Sequence, residues 1–365
     1  MNLLFVWTGV TAYMADCWRA LAVLPGVRLK IVIQEKRHPG TQFDHQGVLR
    51  SLDVTLIYED EPLDRDGLRK ELTSFSPGLI FVVGWRAKLS RFIAMDSCFS
   101  HIPKVLIFDL PFAWTLKKLI APVVLWFYIR RFQACFVPGS RARRYARWLG
   151  FQERQIEQGL FAVGMGADTK ERVPSESLQS VRKGFLFVGR YAKEKRLDVL
   201  VKAYKRYRML AEARNEVPWG LSCCGMGPDQ HYIRGVEGIT DYGFCQPGQV
   251  ALLMLNHGAL VLSSEFDPWP LVIAEACAAG LPVICTEACG NHVELIQGNG
   301  LVCKSNDAKS LAQAMLAFHL LPEQQRAVMG VKGMELVKPY LSDAWAERVV
   351  AICERLTRVG GGSSA

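Results

Sequence analysis

No run of apolar residues in this 365-residue chain reaches the ~20 needed to cross a bilayer, although half of its residues are hydrophobic. The opening Met-Asn-Leu-Leu-Phe-Val-Trp has no basic stretch and no cleavage site, so it reads as a first strand rather than a signal peptide. No Cys-x-x-Cys pair with metal spacing occurs, and the 11 cysteines are an odd number. Cys135, Cys224, Cys285 and Cys303 sit in apolar, strand-like runs. They read as small buried hydrophobes of a reducing compartment, which argues against a disulfide framework and against a metal site. The Gly-x-Gly-x-x-Gly fingerprint is also missing after the first strand, which disfavours a nicotinamide cofactor. No zinc-finger, RNA-recognition or homeodomain pattern appears, so nucleic acid is the weakest explanation for the net charge of +9 and pI of about 9.0. Nucleotide diphosphates and an anionic membrane face remain as anionic partners.

The length suits two domains. Strands are expected at Leu3–Trp7, Leu29–Ile33, Val54–Tyr58, Leu79–Val83, Val105–Phe108 and Ala134–Val137, with helical segments between several of them, which predicts a parallel sheet. Composition shifts near Gly164–Asp168, and a polar stretch with Pro174 follows. A second series then begins at Gly184-Phe-Leu-Phe-Val-Gly-Arg190 and continues with a helix over Lys195–Ala211 and strands at Leu221–Cys224, Ala259–Leu262 and Gly300–Cys303. The expected organisation is a domain over 1–168, a linker over 169–183, a second domain over 184–338, a helix over 339–359 crossing back to the first domain, and a flexible tail over 360–365. The fold class is α/β, two Rossmann-like doubly wound domains facing across a cleft, with ligands at the carboxyl ends of the strands.

Residues 258–286 read as strand, acidic loop, helix, tight turn, strand. Prolines and carboxylates in Ser263–Pro270 take the chain out of the sheet, and Gly280 closes the helix as a left-handed cap. Seven residues separate Asp267 in the loop from Glu275 in the helix. The amides of Leu271 and Val272, which follow Pro270, open a helix N-terminus able to hold a phosphate. Glu275, about one turn further in, can accept hydrogen bonds from ribose hydroxyls. A solvated helix acid and a turn former are the plainer alternatives. They suit Glu275 poorly, because its neighbours Ala274, Ala276, Cys277 and Ala278 are small and apolar.

Val188-Gly-Arg-Tyr-Ala-Lys-Glu-Lys195 places Arg190 and Lys195 at the end of a strand. A guanidinium fork and an ammonium point charge suit the two phosphates of a leaving nucleotide, and fixed cations stabilise that charge without a metal. Alone, the pair also fits a solvated basic run.

In residues 114–131, aromatic and aliphatic side chains lie between Lys117-Lys118 and Arg130-Arg131, with Pro122 in the middle and a further cluster at Arg141, Arg143, Arg144 and Arg147. Two readings stand open: an interfacial segment on an anionic bilayer, or a core helix with solvated ends.

The motifs Val-Gly-Arg-x-x-x-x-Lys, Cys224-Gly-Met-Gly-Pro228, Gly243-Phe244 and Ser264-x-x-Asp-x7-Glu-Ala-x-Ala-x-Gly-Leu-Pro-Val-Ile occur in this order. Together they resemble the donor half of the family 4 retaining glycosyltransferases of the GT-B fold, glycosyl transferases group 1, closely over residues 184–320. The resemblance implies transfer of a sugar from a nucleotide-diphosphate sugar to an acceptor hydroxyl, with retention and with no metal. Carried over, Arg190 and Lys195 would hold the diphosphate and Glu275 the ribose. Asp267 through Pro270, Leu271 and Val272 would face the sugar and phosphate, and Gly243 and Phe244 would approach the nucleobase. Gly9, after the first strand, lies where relatives let the backbone approach the diphosphate. The family's first acid is usually Glu, whereas this chain has Asp267, one methylene shorter. Many relatives also carry a His after a mid-domain strand of the acceptor-side first domain. No His stands there in this chain, and Asp109 is the nearest polar residue. Asp109 is expected either as base or positioner toward the acceptor, or as a strand-end turn residue. The catalytic candidates are therefore Asp109, Arg190, Lys195 and Asp267.

The basic charge and the 114–131 segment suggest a lipid-linked or polysaccharide glycan acceptor, with the enzyme in the cytoplasm and peripheral on the inner face of the cell membrane. A nucleotide-sugar epimerase of the same layout and a non-catalytic sugar-nucleotide binding module are the alternatives.

Overall fold

The computed structural model describes residues 1–36, 45–164 and 182–359. The expected linker, apart from Arg182 and Lys183, and the 360–365 tail lie outside them. Contacts divide the chain into two units, Met1–Gly164 with Tyr340–Ala365, and Met165–Pro339.

The first unit is built on one parallel sheet with strands β1 (Asn2–Thr8), β2 (Arg28–Glu35), β3 (Val54–Tyr58), β4 (Leu79–Val83), β5 (Lys104–Ile107), β6 (Ala134–Val137) and β7 (Ile156–Gln158). Their order is β3-β2-β1-β4-β5-β6-β7. Central strands such as Leu79-Ile-Phe-Val-Val are apolar throughout rather than alternating, because helices cover both faces. Phe5 stacks on Phe81 at 4.4 Å between ring centroids, and Trp18 and Trp345 pack onto Phe5 from the helix layer. Trp345 belongs to the Ser342–Val359 helix. That helix packs on the Ala12–Ala22 helix of the first unit, and the Trp345 indole donates to Leu160 O at 2.7 Å.

The second unit carries β8 (Phe185–Val188), β9 (Leu221–Cys224), β10 (Ile239–Asp241), β11 (Ala259–Leu262), β12 (Val283–Thr286) and β13 (Gly300–Cys303), in the order β10-β9-β8-β11-β12-β13, with parallel pairing throughout. The chain runs outward from β8 to β10 and then returns to the other side of β8. In each sheet the strand order reverses beside the first strand, so the switch points lie between β1 and β4 and between β8 and β11.

One local expectation needs correction, and one open segment takes shape. The helix expected from Lys195 begins at Leu197 and runs to Glu212. Arg196 sits in the left-handed region at φ 53°, so Lys193–Lys195 forms a separate 3-10 turn. This conformation costs a non-glycine residue about 1 kcal/mol. It is held by the Arg196 guanidinium on Asp198, at 2.9 and 3.0 Å, and on Glu265 at 3.2 Å. In the 114–131 segment, where two readings stand open, the structure has two short helices, Leu116–Val124 and Trp126–Ile129. Pro122 has no N–H for the Lys118 carbonyl, and the Trp148 indole N–H takes that carbonyl instead at 2.9 Å.

Candidate functional site

The residues singled out in the second unit gather at its switch point. Val188 ends β8, and the loop after it carries Arg190 and Lys195; Leu262 ends the adjacent β11, and the loop after it carries Asp267. The Lys195 ammonium donates to the Asp267 carboxylate across 72 positions of sequence, with both side chains mostly buried (15% and 13% exposed). Arg190 reaches outward, 79% exposed, and pairs with Glu194 at 2.8 Å. The two loops are also joined through backbone. Ser263 Oγ donates to Lys195 O at 2.7 Å, and the Glu265 amide donates to Glu194 O at 2.8 Å. Glu265 itself is committed to Arg196.

Glycines permit this closeness. A Cβ on Gly225, at φ +155°, would stand 1.9 Å from Gly189 O, beside Arg190. The Gly189 amide donates to Cys224 O at 3.0 Å, so the loops after β8 and β9 lie backbone against backbone. On the other side, a Cβ on Gly290 would meet Pro268 O at 1.8 Å. Gly290 donates to Asp267 O at 2.7 Å, and Asp267 and Cys289 form a parallel bridge. Asp267 is therefore fixed through main chain as well as through Lys195.

The Leu271–Ala278 helix begins directly after this loop. Pro270 is its N-cap, no side chain caps it, and its first turn holds no acid. Ile273 N–H returns to Pro270 O at 3.0 Å, and Asn291 Nδ2 donates to the same carbonyl at 2.9 Å. The Leu271 and Val272 amides stay at the positive end of the helix dipole. At the other end, Gly280 donates to Cys277 O and Leu281 to Ala276 O, which closes a Schellman motif with Gly280 at φ +63°. Glu275 is half-buried between Ala274 and Ala276. It has no hydrogen-bond or ion-pair partner among the described residues, and burial pushes its carboxyl above the usual range. Two further polar atoms here are buried without a partner: Ser264 Oγ and Asn291 Oδ1. Asn291 was not singled out from the sequence. The Asn in Gly290-Asn291 looks like a turn former, and only its burial reveals it.

Gly243, at φ +63°, donates to Asp241 Oδ1 at 2.9 Å, and Phe244 follows it partly exposed. Asp241 also accepts from Tyr191 at 2.8 Å, which ties the loop after β10 to the loop after β8. Sequence reasoning passed over Asp241, because its role depends on strands that neighbour only in the fold.

The other candidates belong to the first unit. Gly9, at φ +76°, follows β1 and donates to Gln34 O at 3.0 Å, with open space around its Cβ position. The buried carboxylate of Glu35 holds the next amide, Val10, at 2.6 Å. Asp109 is exposed just past β5. It acts electrostatically on Tyr13, whose hydroxyl is pushed up to about 12 chiefly by burial, and on Lys118.

Among the described residues there is no group of three or more His, Cys, Asp or Glu placed to hold a metal ion. A concave region of about 720 Å³ opens at the amino-terminal end of the second sheet, lined by Lys183, Trp219, Ser222, His257, His319 and Arg326. It lies at the wrong end of the strands for a site of this topology. Its histidines are held by Ser222 and Tyr207 at 2.8 Å, and burial lowers the pKa of both.

Comparison with known proteins follows the same division. Residues 168–333 match the model of the family described as "Glycosyl transferases group 1". A glycogen synthase of Mycobacterium tuberculosis is 28% identical over 138 residues, 36% of this chain and 32% of that protein, so the match spans about a third of this relative. An uncharacterised glycosyltransferase of Methanocaldococcus jannaschii is 25% identical over 46% of each chain. Among solved structures, a glycosyltransferase from Rickettsia africae superposes with a TM-score of 0.72 at 13% identity, covering 97% of this chain and 98% of that one. The second unit thus resembles the glycosyl transferases group 1 family over residues 168–333, and over its length the chain has the α/β GT-B fold.

Proposed function

We propose that the protein is a retaining glycosyltransferase that moves a sugar from a nucleotide-diphosphate sugar to a hydroxyl of a glycan or lipid-linked acceptor. One observation carries this reading. Arg190, Lys195, Asp267, the uncapped Leu271–Ala278 helix and the unpartnered Glu275 all come from the loops after two adjacent strands at a switch point. In this reading Arg190, Lys195 and the Leu271 and Val272 amides take the charge of the leaving diphosphate. The helix amides, and Lys195 held by Asp267, are in place before the reaction, so they stabilise charge with little reorganisation. Glu275 accepts from the ribose hydroxyls. Ser264 and Asn291 offer buried polar atoms to the same ligand. Gly243 and Phe244 flank the nucleobase. Asp267, held by Lys195 and by the Gly290 bridge, faces the sugar.

Retention follows if the acceptor hydroxyl attacks the face that the diphosphate leaves, with the departing phosphate taking the proton. Such a step asks little of a protein base, which suits a chain with Asp109 where many relatives carry His. Asp109 then orients the acceptor. The role given to the cations needs no metal ion. The 11 free cysteines support a reducing, cytoplasmic setting. The family match favours transfer over the epimerase alternative.

The test is Arg190→Ala. Its exposed side chain carries no packing, so the fold should persist, while removal of one such charge contact should lower turnover about 10²–10³-fold. Near-normal transfer by a folded Arg190→Ala protein would overturn the phosphate role. Conversion of donor to an epimer without any acceptor would favour the epimerase.

A further inference from the structure

The first unit presents an apolar face that nothing in its own fold explains. In the Leu116–Val124 and Trp126–Ile129 helices, Leu116, Ile120, Val123, Val124 and Phe127 recur at helical spacing. Helical spacing of apolar residues normally marks the side turned to the core. Here that stripe is the exposed one, with Val123 80% and Phe127 74% exposed. The inward side is occupied by a second apolar set, Ala121, Tyr128 and Ile129, which is buried, with the Tyr128 hydroxyl donating to Gly84 O at 2.8 Å. The segment is thus anchored from within and apolar without. Trp114, 75% exposed, extends the face through its edge contact with Phe112 at 5.1 Å, and Trp126 extends it further, capped by Arg130 at 4.3 Å.

The rim is basic. Between Asp109 and Glu153 the chain has no carboxylate side chain. Lys117, Arg130 and Arg131 are exposed and make no ion pair among the described residues, and the Arg144 guanidinium lies over Phe112 at 5.2 Å. A second copy of this chain, packed face to face, would set these cations against their own images. An anionic lipid surface complements them, and its acyl region takes the aromatic and aliphatic side chains. Among the described residues no helix is long and apolar enough to cross a membrane. Two short helices that break at Leu125 suit a shallow interfacial seat.

We propose that residues 114–131 form a docking face for an anionic bilayer, with Trp114, Val123, Val124 and Phe127 entering the headgroup boundary and Lys117, Arg130 and Arg131 contacting lipid phosphates. This rests on no assumption about sugar transfer. It also gives Asp109 a setting, because the segment leaves the carboxyl end of β5 and Lys118 lies within electrostatic reach of Asp109. An acceptor hydroxyl borne on a membrane lipid would then arrive on the side where Asp109 stands.

The experiment is co-sedimentation of the whole chain with vesicles of phosphatidylcholine, with and without phosphatidylglycerol, at low and high salt. The expected result is binding to the anionic vesicles alone, weakened by salt. Lys117→Ala with Arg131→Ala should lower partitioning about 30-fold, since each surface cation contributes about fivefold. Val123→Asp with Phe127→Asp should abolish binding while leaving the melting temperature and the stabilisation by nucleotide-sugars unchanged. Absence of binding at low salt, equal binding to neutral vesicles, or a wild-type dimer that the double Asp variant converts to monomer would each overturn the proposal. Loss of sugar transfer with intact vesicle binding would count against the proposed reaction and not against the docking face.

Discussion

Glu275→Gln separates the ligand-binding role of this acid from a merely structural one, because the two predict opposite changes. In the folded protein the carboxylate is half-buried among small apolar residues, has no partner among the described residues, and is pushed above the usual carboxylate range by burial. A raised acid pKa means that the folded state holds the proton more tightly than the unfolded chain. The site therefore costs stability once the pH climbs past the folded value, and costs nothing below the ordinary glutamate range. A charge left unpartnered costs more to bury than a neutral amide of the same shape, so the glutamine, which loses the charge but stays polar, should stabilise the free protein by about 1–2 kcal/mol at neutral pH. For a unit of this size that is about 3–6 °C in Tm, and the gain should vanish in acid. The donor side runs the other way. Hydrogen bonds from ribose hydroxyls to a carboxylate are worth about 1.5–3 kcal/mol, so nucleotide-sugar affinity should fall about 10–150-fold. The assay is thermal unfolding over a pH series, with and without a panel of nucleotide-sugars. A Glu275→Gln protein that melts lower than wild type without ligand, or that keeps the full ligand-induced shift, would refute the reasoning.

Gly225→Ala should destabilise the second unit by about 3 kcal/mol, because its Cβ would stand 1.9 Å from Gly189 O, and denaturant titration reads this directly. Trp148→Phe should cost about 0.5–1 kcal/mol by removing the indole donor to the Lys118 carbonyl, and the cost should shrink when Pro122→Ala restores an N–H within the helix; a double-mutant cycle with no coupling would contradict that account. Lys104 is buried with its ammonium donating to Phe99 O and Ile102 O, and burial together with Arg131 lowers its pKa from 10.5 to about 8. The unfolded chain then binds more protons between those values, so urea midpoints should rise as the pH climbs through that window, and Lys104→Met should flatten the rise.

Much of the fold was legible because each βα unit announces itself. Strands such as Val54–Tyr58, Leu79–Val83 and Leu221–Cys224 are bounded by their own apolar runs, and the structure has them where the sequence put them. The misjudged places share one physical cause, which is tertiary contact overriding a local pattern. Lys195 reads as the start of a helix, but bonds from Arg196 to Asp198 and Glu265 hold that arginine left-handed and keep Lys195 outside. Residues 114–131 read equally as core or interface, because both sides of the segment are apolar and only the fold says which side is covered. Asn291 and Asp241 escaped notice because a side chain's lone pairs acquire meaning only when its neighbours are known.

The strand order gives the motif spacing its meaning. Lys195 and Asp267 are far apart along the chain, yet they meet because β8 and β11 are adjacent and parallel. Any ligand laid across that switch point touches both loops at once. The resting pair also bears on how an anion would enter. Lys195 is already neutralised by one carboxylate in a mostly buried setting, where removing either partner would strand a charge. Arg190, by contrast, is exposed and tied only to Glu194 on its own loop, a contact of the kind worth little in water. In the proposed reaction an incoming diphosphate would therefore meet the exposed guanidinium first and the pre-set ammonium second. On that reading the Lys195–Asp267 pair would hold the geometry until the diphosphate, which carries more charge than one carboxylate, competed for the same ammonium. Asp267 would keep its place through its bridge to Cys289 and the Gly290 amide, and so be left free to face the sugar.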